Sequence, residues 1–350
     1  MQANIFNTIQ YQKTYVRQSR IHPTKELRFM DYCAGIGAGR LGLERGTNAV
    51  CVGYSEIMGA SVKTYNVLHN VKDEENFGDL TKIDTKTLPD FDIMIAGFPC
   101  QTFSIIGQRQ GFEDDRGQII YHLIEILKDK DVPYFILENV KGLINHDKGN
   151  TIKTIVKALE NAGYHTEYKV LNSVNYGVPQ MRERVYFVGI RKDKTKRGKF
   201  VWPSEVKMPD VREYLCDENA KLFDKNDATF QKYLNNKYNK GRIDINRILN
   251  QEYTVIDTRQ SDLRTYEGKV PTLRTGRHGI LYVKNGKLRK LSGFESLLLQ
   301  GFDKEKAKQV RGKVSEQQLL SQAGNAMTVT VIEQIAKQLM SYIERGNNYE

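Results

Sequence analysis

Five short apolar runs, separated by stretches with helical spacing, constrain this chain more than any other feature. LRFMDY (27–32), AVCVGYSE (49–56), FDIMIAGF (91–98), YFILENV (134–140) and VYFVGIR (185–191) read as buried strands. Helical patterns lie between them at 40–46, 58–68, 118–129 and 151–162. Apolar strands spaced by helices predict an α/β fold with a parallel, doubly wound, Rossmann-like sheet. Ligands of such sheets sit at the carboxyl ends of the strands, so the residues just after each strand are the candidates for chemistry.

The rhythm holds over 27–190 only. Residues 1–26 are a polar arm. From 191 to about 275 Lys, Asn, Asp and Tyr rise, which reads as a second, smaller domain. Residues 276–350 regain helical order in SGFESLLLQGF (292–302) and NAMTVTVIEQIAKQLMSYI (325–343), expected to return to the first domain. The formal charge is +11. Residues 191–290 hold 24 basic and 13 acidic side chains, and the other 250 residues hold 29 of each. A neutral body with one basic segment points to a polyanion bound by that segment. With 39% apolar and 27% charged residues a core is available, which excludes wholesale disorder. No run of about 20 apolar residues exists, so no membrane span is expected. The start lacks an apolar signal core, and Cys33, Cys51, Cys100 and Cys216 form no CxxC pair, which fits a reducing cytoplasm.

The strand ends carry the chemistry-bearing residues. After the first strand, Gly35, Gly37, Gly39 and Gly42 make a glycine-rich turn that formally matches a dinucleotide fingerprint, and Glu56 closes the second strand where a carboxylate can accept ribose hydroxyls. A nicotinamide dehydrogenase is the rival reading at this point. Asp79 is a further polar group at the same edge, suited to an adenine amino group or a turn cap. The third strand ends in Gly97-Phe98-Pro99-Cys100-Gln101-Thr102-Phe103-Ser104. Pro99 argues against routine strand continuation, and a Cys100 nucleophile would need activation, because a free thiol is only a few per cent thiolate at pH 7. The stretch 105–117, with Arg109 and Arg116, is suited to closing over a substrate. Glu138 directly follows a buried run, as a cap or an acid of raised pKa. Arg182 and Arg184 should share a strand face and hold a phosphate, a carboxylate or a base carbonyl. Asn325 is expected to start the last helix, capping it or reaching a ligand.

Taken in order, the GxG turn, Pro-Cys-Gln, Glu-Asn-Val, Gln-x-Arg-x-Arg and the late Gly-Asn resemble the DNA cytosine-5 methyltransferases of bacterial restriction-modification systems. The resemblance covers 27–190 and 270–342, includes RKLSGFESLLLQGF (289–302) with Thr272-Leu273 before it, and fails in 191–270, the family's variable target-recognition region. A dehydrogenase has no reason to carry Pro-Cys-Gln and Gln-x-Arg-x-Arg. The resemblance implies an S-adenosylmethionine-dependent methyltransferase domain plus a target-recognition domain, transferring methyl to C5 of a flipped cytosine in double-stranded DNA and leaving S-adenosylhomocysteine. It implies Cys100 as the thiolate adding at C6, Glu138 acting at N3, and Arg184 and Arg182 orienting the base carbonyl and their loop. The cofactor would lie against Ala34, Gly35, Ile36, Gly37, Glu56, Ile57, Asp79, Leu80, Pro99 and Asn325. Cys33 stands where the family usually carries an aromatic residue, and Ala38 replaces a common second glycine.

For DNA contact the candidates are Gln101, Ser104 and Arg116 in the cysteine loop, and Arg259, Arg264, Arg274 and Arg277 in the basic segment. A monomer working without a metal, alongside a cognate restriction endonuclease, is expected. Two other readings stand beside this one: an RNA cytosine-5 methyltransferase, and a catalytically silent DNA-binding regulator.

Overall fold

The structure is a computed structural model that describes residues 26–71, 76–99, 119–197 and 199–347. Its centre is a six-stranded sheet. In chain order the first elements are β1 (Arg28–Tyr32), α1 (Ala38–Gly46), β2 (Val50–Ser55), α2 (Gly59–His69), β3 (Ile93–Gly97), α3 (Ile119–Asp129), β4 (Tyr134–Val140), α4 (Asn150–Asn161) and β5 (Tyr164–Asn172). The two-residue β6 (Gln180–Met181) and the long β7 (Glu183–Arg191) follow. The sheet order is β2-β1-β3-β4-β7-β5.

Alternation along each strand loads both faces of the sheet. Phe29, Ile93, Ile95, Ile136 and Val188 face one core, shared with α1 and the last helix; Met30, Met94, Phe135, Leu137 and Phe187 face the other, shared with α3 and α4. Burial on both faces explains why these strands are continuous apolar runs. Four strands are parallel, as expected. β7 departs, running antiparallel to β4 and to β5. The fully parallel expectation missed this hairpin because β5, an edge strand, is half-exposed and mostly polar and carries no apolar run.

The basic segment forms α5 (Ala228–Leu234), α6 (Ile245–Ile248), β8 (Val255–Asp257), β9 (Arg264–Tyr266) and β10 (Val270–Pro271). β11 (Ile280–Lys284) and β12 (Lys287–Lys290) then complete a separate antiparallel sheet, ordered β12-β11-β8-β9, over a small core that includes Phe230, Ile256, Leu263 and Val283. The expected boundary at 275 cuts through this sheet, which runs on to Lys290. β10 instead pairs in parallel with β6, placing Val270 opposite Gln180.

The chain closes with α7 (Gly293–Leu299), α8 (Lys304–Gln309), α9 (Glu316–Asn325) and α10 (Val329–Asn347). Ser292 and Ser315 begin α7 and α9 with capping boxes. α10 lies along α1, and its Ile332 sits where a Cβ on Gly42 would come within 2.5 Å. Asn325 ends α9 rather than starting the last helix, because the chain turns at 326–328 before α10 begins. Among the described residues no helix is long and apolar enough to cross a membrane.

Candidate active site

The turn after β1 reverses the chain through left-handed backbone at Cys33, Gly35 and Gly37 (φ 50°, 57° and 77°). Ala34 N–H donates to the Ser55 carbonyl (3.0 Å), tying the turn to the end of β2. The two glycines face different surroundings. A Cβ on Gly37 would lie 2.1 Å from His69 Nε2 and 2.8 Å from the Tyr65 ring, whereas one on Gly35 would meet nothing within 4 Å among the described residues. Gly37 therefore seats the turn on α2, and Gly35 leaves an open cradle. Ala34 and Ile36 are buried beside them.

Glu56 stands over that cradle. Its Oε2 accepts the Gly35 N–H (2.8 Å) and its Oε1 the Met58 N–H (2.7 Å). Each carboxylate oxygen keeps a further acceptor direction. Asn76 positions the residue: its Oδ1 accepts the N–H groups of Glu56 and Gly78, and its Nδ2 donates to the Glu56 carbonyl (3.0 Å). Asn76 escaped sequence reasoning, since an asparagine two residues before a glycine reads only as a turn. Ile57 and Met58 are 69% and 61% exposed, an apolar pair beside a carboxylate. Asp79 caps a short turn through the Thr81 N–H and hydroxyl and pairs with Lys82 (3.2 Å); the Thr81 hydroxyl bond leads in holding its carboxyl below the usual range. Leu80 is buried behind it. Asp31, fully buried on β1, has no hydrogen-bond partner on either oxygen among the described residues, and burial pushes its carboxyl well above the ordinary range against the pull of Arg40.

At the neighbouring strand ends, Gly97 and Glu138 are register partners on β3 and β4. The Asn139 amide donates to the Phe98 carbonyl (3.0 Å), holding the segment that leads through exposed Pro99. Cys100, Gln101, Ser104 and Arg116 lie outside the described residues. Glu138 is 7% exposed, and Arg184 Nε approaches its Oε1 at 3.1 Å, close enough for an ion pair but without hydrogen-bond alignment. Burial raises the Glu138 carboxyl, opposed by Arg184 and then Arg182.

Arg182 does not share the face of Arg184. It lies between β6 and β7, 2% exposed, with its guanidinium on the backbone carbonyls of Leu273, Gly324 and Ala326. Its expected place at a base carbonyl is corrected accordingly: those bonds hold protein backbone. Gln180, first residue of the Gln-x-Arg-x-Arg motif but given no role from sequence, bonds the Leu273 N–H (3.0 Å) and the Leu299 carbonyl (2.8 Å). Thr272 donates its hydroxyl to the Met181 carbonyl.

The basic segment sorts its arginines. Arg259 is bound twice by Asp257 (2.8 and 2.7 Å) and donates to the Thr272 carbonyl (2.6 Å), with a side chain 4% exposed, so its expected DNA contact is replaced by a structural one. Arg264 and Arg274 are exposed and line a cavity of about 140 Å³ with Gln260, Asp262 and Tyr266. Arg277 is exposed in the same loop as Arg274, and Asn325 is exposed at the end of α9. Among the described residues no cluster of His, Cys, Asp and Glu could hold a metal ion.

A doubly wound sheet with a glycine cradle under a carboxylate at one edge, and a buried carboxyl beside the neighbouring strand end, is consistent with the S-adenosylmethionine-dependent methyltransferase fold. Residues 27–341 match the profile of C-5 cytosine-specific DNA methylase, and the chain belongs to that family. The chain is 34% identical over 330 residues to the Type II methyltransferase M1.ScrFI of Lactococcus lactis subsp. cremoris, covering 92% of this chain and 80% of that protein. It is 46% identical over 187 residues to the orphan methyltransferase M.SPRI of Bacillus phage SPR, covering 53% of this chain and only 42% of that protein. Against a second phage relative, of Bacillus phage rho11s, the covered share of the relative falls to 35%. In solved structures the fold is similar to that of the Entamoeba histolytica methyltransferase EhMeth (TM-score 0.66, 19% identity, 93% of this chain and 100% of that one). It is also similar to Spodoptera frugiperda DNMT2 (TM-score 0.64, 20% identity, 90% of this chain and 100% of that one). At those identities the likeness concerns the fold alone.

Proposed function

We propose that this chain methylates C5 of cytosine in double-stranded DNA, using S-adenosylmethionine. The observation that carries the reading is the pair of buried Glu138 and half-buried Arg184 one strand from the Gly97-Phe98-Pro99 segment that leads to Cys100.

The cofactor residues fit their group on two counts. Gly35 leaves open space where any side chain would intrude. Glu56 keeps acceptor capacity beside that space, suited to vicinal hydroxyls. When bound, the cofactor supplies an electrophilic methyl. Exposed Ile57 and Met58 offer an apolar flank to a purine, and Asp79, Leu80, Pro99 and Asn325 would complete the enclosure.

Cytosine C5 is a weak nucleophile. Addition of the Cys100 thiolate to C6 forms a C–S bond and moves electron density toward C5 and N3. Glu138, held protonated to higher pH by burial, donates a proton or hydrogen bond at N3 and stabilises that charge. Arg184 fixes Glu138 and directs its remaining N–H groups toward the base carbonyl. After C5 has accepted the methyl group, a base or water takes the C5 proton, that electron pair re-forms the C5–C6 double bond, the C–S bond breaks to release the thiolate, and N3 returns to Glu138 any proton it took. These atoms are stacked inside a duplex, so the base must first be extruded, at about a few kcal/mol. Gln101, Ser104 and Arg116 would border the flipped nucleotide, while exposed Arg264, Arg274 and Arg277 approach the duplex. Activity in a restriction-modification setting, beside a partner endonuclease, belongs to the same reading.

Methyl transfer from labelled donor to duplex DNA and to tRNA, followed by methylation sequencing, tests this. Label at cytosine C5 in the duplex is expected. Label confined to tRNA would replace DNA by RNA as substrate, label on adenine would refute the mechanism, and binding without transfer would leave a silent regulator.

A further inference from the structure

Leu273 is held at both of its peptide groups. Its N–H donates to Gln180 Oε1 (3.0 Å), and its carbonyl accepts from Arg182 Nη1 (3.2 Å). The same Nη1 reaches the Gly324 carbonyl (3.1 Å), and Nη2 reaches that of Ala326 (2.8 Å). One buried guanidinium thus joins three chain segments that are distant in sequence. The contact is also steric: a Cβ on Gly324 would lie 2.5 Å from Arg274 C and Thr275 N, so the end of α9 and the 272–275 loop touch backbone to backbone.

From there the connection runs on to α2. Gln322 Nε2 donates to the Ala60 carbonyl (2.9 Å), and the Thr64 hydroxyl donates to Gln322 Oε1 (3.0 Å). α2 begins directly after Glu56-Ile57-Met58. Burial and then Arg184 push the Arg182 guanidinium down to about 9, opposed by Glu138 and Tyr186, which leaves it charged at neutral pH, and it donates to three backbone carbonyls. Burying that charge is unfavourable unless its bonds are made. Only a planar fork spans three acceptors in fixed directions, which a lysine ammonium on a flexible stem does not reproduce.

We infer that Arg182 is a positioning residue that locks the loop carrying Arg274 and Arg277 to the α9 end carrying Asn325, so that duplex engagement on one side and the cofactor cradle on the other move as one body. The inference rests on the DNA-methylating reading for the identity of the two ligands, but its structural content does not.

Hydrogen exchange on the full chain without DNA tests the lock, comparing wild type with R182Q, R182K and G324A. R182Q removes bonds to both partners and should speed exchange about tenfold or more in 272–275 and 324–327 together, since each lost bond is worth about 1 kcal/mol. R182K should loosen both segments less, and G324A should loosen both by collision without touching the charge. If R182Q does not fold, R182K and G324A carry the comparison. In turnover, R182K should raise KM for duplex several-fold more than it lowers kcat, whereas R184K should lower kcat at near-constant KM. Loosening of one segment alone, or of neither, would overturn the lock, as would an R182K defect confined to kcat. A wild type that transfers no methyl to DNA would instead refute the preceding reading and leave the exchange result in force.

Discussion

The Glu138 carboxylate lies 3.1 Å from Nε of Arg184, on antiparallel strands whose register sets Val140 opposite Arg184 and Tyr186 opposite Glu138. β7 is thereby the strand that completes the site. Had it run parallel to β4, as a fully parallel sheet requires, its amino-terminal end would lie at the opposite edge from Glu138.

The pair predicts a pH signature. Burial raises the Glu138 carboxyl, so its protonated form persists above the ordinary range and is lost as pH rises through that raised value. kcat should fall on that alkaline side. Glu138→Gln should reduce kcat by about 10²–10⁴ and abolish that limb. A pH–rate profile unchanged in shape in the variant would remove Glu138 from the proton step.

Cys100→Ser should abolish turnover and leave duplex binding intact. A duplex with 5-fluorocytosine should trap a covalent adduct, because fluorine cannot leave as a proton does. Peptide mapping locates the crosslink; attachment anywhere but Cys100, or no adduct at all, ends the covalent mechanism.

The two turn glycines should respond differently to alanine. Gly37→Ala forces a Cβ into His69 and Tyr65 at a left-handed φ, so a stability loss of about 2 kcal/mol or more is expected in thermal melts. Gly35→Ala meets open space, carries only backbone strain of about 1 kcal/mol, and should stay folded while weakening cofactor binding by calorimetry. Equal stability losses would mean that the cradle at Gly35 is not open.

Glu295 gives the fold its own pH dependence. It accepts from the Asp217 and Ser292 N–H groups and the Tyr282 hydroxyl, yet burial raises its carboxyl to about 7. The folded state holds this proton more tightly than the unfolded one. Its contribution is therefore fully present below the ordinary glutamate value and fades as pH rises to about 7, by up to about 1.4 kcal/mol per pH unit. Denaturant titrations across that window should show the slope in wild type and a flatter line in Glu295→Gln, above a constant loss of about 1–3 kcal/mol from mismatched donors.

Arginine substitutions in the basic segment should separate by burial. Arg274→Ala and Arg277→Ala should leave melting unchanged and each flatten the dependence of log affinity on log salt by about 0.9. Arg259→Ala should lower melting, because Asp257 and the Thr272 carbonyl lose their partner. A salt slope altered by Arg259→Ala without destabilisation would return it to the DNA face.

Much of this was readable in the chain. Strands buried on both faces need unbroken apolar runs, and these mark β1 to β4 and β7 to within two residues. The edge strand β5, mostly polar and half-exposed, leaves no such trace. Exposure of an arginine leaves none either: Arg259 and Arg274 look alike in sequence, and only a carboxylate two residues from Arg259 that folds back onto it makes one a strut. Arg182 and Arg184 share a motif but part company because a two-residue strand ends between Met181 and Glu183.

The order of strand-end motifs, the glycine turn, the candidate residue types at the strand ends and the segment that bears the positive charge were determined by the sequence alone, because each depends on local backbone freedom, periodicity or composition. The direction of β7, the sheet that runs on to Lys290 and the grip of Gln180 and Arg182 on Leu273 were decided by tertiary structure. Those depend on which backbone groups distant parts of the chain bring within hydrogen-bond reach, and no local pattern records that.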